Sequence, residues 1–124
     1  MLAIAPEGVA SLRYLPASDE DQAEQLNMAV GGWLEAIGPG RWLAFVNSEG
    51  KRLSLERNFH ADALARALGW HFQFGDYLVG AVVFASREGV KIGTVPDDVI
   101  DLARAAKILI TGQFGNYMAS REAR

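Results

Sequence analysis

The run Trp42-Leu43-Ala44-Phe45-Val46 is apolar on both of its alternating sets, a pattern that predicts a strand buried on both faces. Two compact turn sequences flank it, Gly38-Pro39-Gly40 and Asn47-Ser48-Glu49-Gly50. Together they predict a β-meander with strands at about 33–37, 41–46 and 51–56. The third, Lys51-Arg52-Leu53-Ser54-Leu55-Glu56, alternates apolar and polar and so has one wet face.

Around this meander the pattern switches repeatedly between the two periods. Leu2 to Ala5 and Val9 to Leu15, separated by Pro6-Glu7-Gly8, read as a hairpin. Ser18 followed by Asp19, Glu20 and Asp21 places a capping hydroxyl and three acids where a helix exposes unpaired N–H groups. Ala23, Leu26 and Val30 carry its apolar side, and Gly31 stands where a left-handed terminal residue belongs. Asn58 is placed to cap a second helix running to Leu68, with Gly69 ending it. Trp70 to Phe74 alternates aromatic and polar, and Tyr77 to Ala85 is strongly β-prone. Ser86-Arg87-Glu88-Gly89 reads as a turn before a strand at Val90 to Val95. Pro96-Asp97-Asp98 opens a third helix, with Val99, Leu102, Ala103, Ala106 and Leu109 on its apolar side and its end near Gly112. Strands and helices mix without regular βαβ alternation, so the expected class is α+β: a mainly antiparallel sheet, a β-meander plus hairpins, packed with about three helices.

At 124 residues the chain is one domain. A chain of this size hides roughly two-thirds of its surface on folding, enough for a core without staples. We place that domain at residues 1–112, with 113–124 as a tail or short helix. The absence of cysteine removes disulfides, thiolate zinc sites, iron–sulfur clusters and thiol nucleophiles together. The first residues have no basic region, so no signal peptide is expected, and no apolar stretch is long enough for a membrane span. The expectation is a soluble, cytoplasmic protein without membrane contact.

One succession of residues is distinctive: Val30-Gly31-Gly32-Trp33-Leu34-Glu35, then Val46-Asn47-Ser48-Glu49-Gly50-Lys51, then Asn58 with Ala61 and Leu64, then Gly75-Asp76 leading into Val79-Gly80-Ala81-Val82-Val83. It resembles a small domain-of-unknown-function family of bacteriophages and bacteria, actinobacteria especially. The likeness spans residues 26–102, and it departs at Ser48, where an acid is commoner, and at Phe59, where proline often stands. The resemblance implies a phage or mobile-element origin and a small cytosolic protein. It implies no reaction.

Glu35 is the most interesting carboxylate, because strand alternation sets it with Trp33 and Ile37, and apolar neighbours disfavour an ionised acid. The plainer reading, a cross-strand ion pair with Arg41, Lys51 or Arg52, is the favoured one. Glu35, Asn47, Arg57 and Asn58 together form the candidate ligand-binding or catalytic centre. His60 and Asp62 are two apart, about 200° around a helix, and so do not converge on one metal ion. His71 sits in an alternating stretch and faces water. No serine lies in a nucleophile elbow, and the glycines match turn chemistry rather than a phosphate loop. Neither an enzyme, a metal nor a cofactor is therefore expected.

Residues 1–35 hold six acids and one base, and residues 36–95 hold seven bases and five acids. Arg41, Lys51, Arg52 and Arg57 beside Trp33 and Trp42 offer a small basic and aromatic face for nucleic acid, but a solvated sheet face explains them better, and the net charge of −3 gives no reason to expect polyanion binding. The apolar load near the end is harder to place. Ile108-Leu109-Ile110 point three ways around a helix, and Phe114, Tyr117 and Met118 follow. They form either a contact surface or a tail folded over the chain's own sheet. The expectation is thus a non-enzymatic interaction module whose partner is a host protein or a second copy, as a homodimer.

Overall fold

The computed structural model describes residues 1–38, 41–73, 75–88, 91–105 and 108–112. In chain order the elements are β1 (Leu2–Ile4), β2 (Val9–Leu12), α1 (Asp19–Val30), β3 (Leu34–Ile37), β4 (Trp42–Asn47), α2 (Phe59–Ala67), β5 (Val82–Glu88), β6 (Lys91–Gly93), α3 (Asp97–Ala105) and β7 (Leu109–Gly112). The strands form one seven-stranded sheet in the order β3-β4-β5-β1-β2-β7, with β6 pairing the far end of β5. Among the described residues all strand pairings are antiparallel except β2 with β7. The fold is α+β, with a mainly antiparallel sheet and, among the described residues, three helices.

Helices cover both faces, which is why β4 is buried along its whole length. On one side Leu26 and Val30 of α1 pack on Ala3, Leu43, Phe45, Val83 and Ala85. On the other, Leu64 of α2 and Val99, Ile100 and Ala103 of α3 pack on Leu2, Ile4, Ala10, Trp42, Val82 and Phe84. Phe84 is fully buried, 5.8 Å from the Trp42 ring. Truncating it to alanine would cost about 3–5 kcal/mol through lost transfer energy and the cavity left behind.

Local chemistry sets the helix ends. The Ser18 hydroxyl accepts from the Asp21 amide at 3.1 Å, and Gly31 closes α1 in the left-handed conformation. The buried side of α1 is Gln22, Leu26 and Val30 rather than Ala23, which is exposed. Gln22 is tolerated there because its side-chain amide donates to the Pro16 carbonyl at 2.7 Å.

Four segments differ from the sequence expectation. Residues 51–54 are turn rather than strand, closed by Leu53 N–H to Glu49 O at 2.9 Å and Leu55 N–H to Gly50 O at 3.0 Å. The alternation there was misleading because Leu53 is exposed. The segment 77–81 is not yet strand, since Gly80 adopts φ +71, outside the β region, against the Leu55 side chain. β5 instead runs on through Ser86-Arg87-Glu88, where a turn was expected. Finally α3 stops at Ala105, and residues 109–112 form β7 beside β2. Ile108, Ile110 and Thr111 are β-branched and suit a strand. Ile108-Leu109-Ile110 therefore do not point three ways around a helix: Ile108 is buried, Leu109 and Ile110 are in β7, and Phe114, Tyr117 and Met118 lie outside the described residues. Among the described residues no helix is long and apolar enough to cross a membrane.

Candidate functional site

Strand alternation sends Leu34 toward α1 and turns Glu35 and Ile37 to the opposite face of β3. There they border a groove of about 180 Å³. Val46 and Asn47 of β4, with Ser48, form its floor and one side; Trp70, Phe72 and residues 76–79 form the other, and Lys51 stands at the rim. Trp33, expected beside Glu35, lies elsewhere: it precedes β3, is 77% exposed and borders Asn27 and Gly32.

Two buried polar side chains hold the far wall in place. Asp62, 2% exposed, accepts from the Leu78 amide at 2.7 Å and from Arg57 Nε at 3.1 Å. The Arg57 guanidinium then lies 4.4 Å from the Phe59 ring centroid and 4.7 Å from that of Tyr77. Asn58 is fully buried and donates at 2.9 Å to both the Ile4 and Gly80 carbonyls, while its Oδ1 accepts from the Ala61 amide. The Asn58 backbone N–H donates to the Leu78 carbonyl at 2.8 Å. Such buried groups persist only when paired, and these two are.

Of the four candidate ligand-binding residues, the fold brings Glu35 and Asn47 to the groove and sets Arg57 and Asn58 behind its wall. Asn47 is itself committed, donating to the Val30 carbonyl at 3.3 Å and accepting from the Glu49 amide at 2.9 Å. Gly50 allows the turn to press on the wall, since a Cβ there would meet Val79 Cγ2 at 2.7 Å. Sequence reading missed Trp70, Phe72, Asp76 and Tyr77 as groove walls. The aromatic alternation at 70–74 was their one signal.

The ion pairs fall differently from expectation. Arg41 pairs with Asp98, Lys51 with Asp76 and Arg52 with Glu49, so none of the three anticipated cations reaches Glu35. The hydrogen bond from Arg41 holds the Asp98 carboxyl below its ordinary range. Lys51 Nζ also lies 4.9 Å from the Tyr77 ring centroid. The supposed basic and aromatic face is dissolved by the same facts: Trp42 is in the core, and Arg41, Lys51, Arg52 and Arg57 each face a carboxylate.

His60 packs against Gly8, and His71 is exposed. Among the described residues no three histidines, aspartates or glutamates gather as metal ligands. Among the described residues no histidine borders the groove, and the hydroxyls there are those of Ser48 and Tyr77. The arrangement suits binding: an apolar floor, aromatic sides and two carboxylates, of which Asp76 is paired with Lys51 and Glu35 is not ion-paired among the described residues. No protein-family model matches the chain, and no curated protein or solved structure does either.

Proposed function

We propose that the chain is a non-enzymatic binding module that receives an extended segment of a partner protein along β3, with one side chain of that segment in the adjoining groove. The placement of the groove carries this reading. It opens beside a strand that, among the described residues, pairs on one side only, with β4. An unpaired strand edge is a ready template for strand addition, and pockets beside the added strand supply specificity. Trp33, exposed at the start of the same edge, offers the kind of aromatic surface on which partners anchor.

Volume favours a side chain over a whole ligand. Small-molecule sites are typically about 300–1,000 Å³, whereas this groove holds about 180 Å³. A host protein and a second copy of the chain are the two candidate partners. Modulating the partner's activity would be the module's work, and the motif order 30–83 supports a phage-type, cytoplasmic setting.

Panning a displayed library of random decapeptides against the full chain tests the reading, with Ser48→Trp as the comparison because Ser48 is exposed and borders the groove. Enriched peptides that bind the parent chain and weaken at least about tenfold on Ser48→Trp support it. No enrichment, or equal binding to both chains, overturns it. Saturable binding of small metabolites to the groove in the absence of any peptide binder would move the assignment to a ligand-binding protein.

A further inference from the structure

We infer that the side chain received by the groove is basic, a lysine or arginine of the partner; this rests on the strand-edge reading above. The inference comes from an inventory of charge around the groove. Lys51 is taken by Asp76 and lies over Tyr77. Arg57 is taken by Asp62 between the Phe59 and Tyr77 rings. Arg66, behind the wall, lies 5.1 Å from the Phe72 ring centroid. Among the described residues these three cations each have a carboxylate or a ring, and the carboxylates of Asp76 and Asp62 each have a cation. Glu35 borders the groove, is exposed, and has no cation within ion-pair distance among the described residues.

The groove's shape matches the same occupant. Ile37, Val46, Leu78 and Val79 give an apolar bed, and Trp70 and Phe72 flank it. Lysine and arginine carry aliphatic stems that lie along apolar surface while the charged head stays at the rim. A stem over Ile37 and Val46 would bring its head to Glu35, which precedes Ile37 by one strand repeat on the same face of β3. An acidic occupant would meet Glu35 and Asp76 and gain nothing from Lys51, which is already paired. A purely apolar occupant would desolvate Glu35 without replacing the lost hydration.

The test uses capped single residues as probes: N-acetyl-arginine amide, N-acetyl-lysine amide, N-acetyl-leucine amide and N-acetyl-glutamate amide, each titrated into the ¹⁵N-labelled full chain. Expected are saturable shifts of the Glu35 and Ser48 amides and the Trp70 indole N–H with the two basic probes. Glu35→Gln should weaken that binding about tenfold, the loss of one desolvated charge contact. Saturable binding of the leucine or glutamate probe as tight as the basic ones overturns the basic-side-chain assignment while leaving the strand-edge reading intact. Basic-probe shifts unchanged by Glu35→Gln, or no saturable shift with any probe, overturn it as well. Failure of the peptide library, by contrast, removes the underlying reading, so the two failures are separable.

Discussion

Asn58 donates, through its side-chain amide, a 2.9 Å hydrogen bond to the backbone carbonyl of Ile4, joining the first turn of α2 to a strand inside the sheet. The same amide bonds Gly80, and Oδ1 caps Ala61. Replacing Asn58 with alanine strands two buried carbonyls and one amide, so Asn58→Ala should cost about 3 kcal/mol or more. Asn58→Asp keeps the cap but sets a carboxylate against two carbonyls, and should fare no better at neutral pH. Urea denaturation of the three chains checks both. A loss below about 1 kcal/mol for alanine would contradict the assignment of these bonds as structural.

Asp62 and Arg57 behave as a latch on the groove wall. Arg57 is only partly shielded while Asp62 is almost wholly enclosed, so removing the cation leaves a buried carboxylate facing only the Leu78 amide. Arg57→Ala should destabilise the fold by about 1–3 kcal/mol, below the range for a fully buried pair because water reaches the guanidinium. Amide exchange at residues 77–79 should quicken more than exchange at β4. The double variant Arg57→Ala with Asp62→Asn should recover part of the loss, since no uncompensated charge remains.

The α-ammonium of Met1 donates to the Arg13 carbonyl at 2.8 Å from a largely buried position. Burial first, and the nearby Arg13 charge second, push its pKa down to about 6 from 8.0. Below pH 6 the ammonium is charged in both states and folding bears the full penalty. Above pH 8 it is neutral in both. Between these values the unfolded chain holds more protons, so stability should rise with pH, by about 2 kcal/mol in all. Denaturation midpoints at pH 6, 7 and 8 measure this. Arg13→Gln should shallow the slope without abolishing it, because desolvation is the larger cause.

Ser86 carries a buried hydroxyl with no hydrogen-bond partner among the described residues. A desolvated donor without a partner is a net cost. Ser86→Ala should therefore leave stability unchanged or raise it by up to about 1 kcal/mol. A clear loss in thermal unfolding would mean that the hydroxyl has found a partner in solution.

What the letters disclosed was what short-range chemistry governs. Ser18, Gly31 and Asn58 marked helix ends because capping bonds reach only a few residues. Trp42 to Val46 declared a strand covered on both sides because no other element hides both sets. The parallel pairing of β7 with β2 stayed hidden, since nothing near Leu109 reports Val9, its partner across the fold. Glu35 and Asn47 were legible as groove residues from alternation and turn chemistry. The opposite wall was not, because Asp76 and Tyr77 are set there by Asp62 through Leu78 and by Lys51 across the turn, contacts made only once α2 is in place.

The position of β1 shapes how such a chain comes into being. Leu2 lies between Leu12 on one flank and Phe84 on the other. During synthesis Leu12 follows Leu2 within one hairpin, whereas Phe84 follows only after α1, β3, β4 and α2 have been made. Until then the hairpin must wait with an apolar flank bare, so a chaperone that shelters nascent chains has an obvious client here. Folding should be slow for the molecule's size, because the central seam of the sheet closes over a long loop.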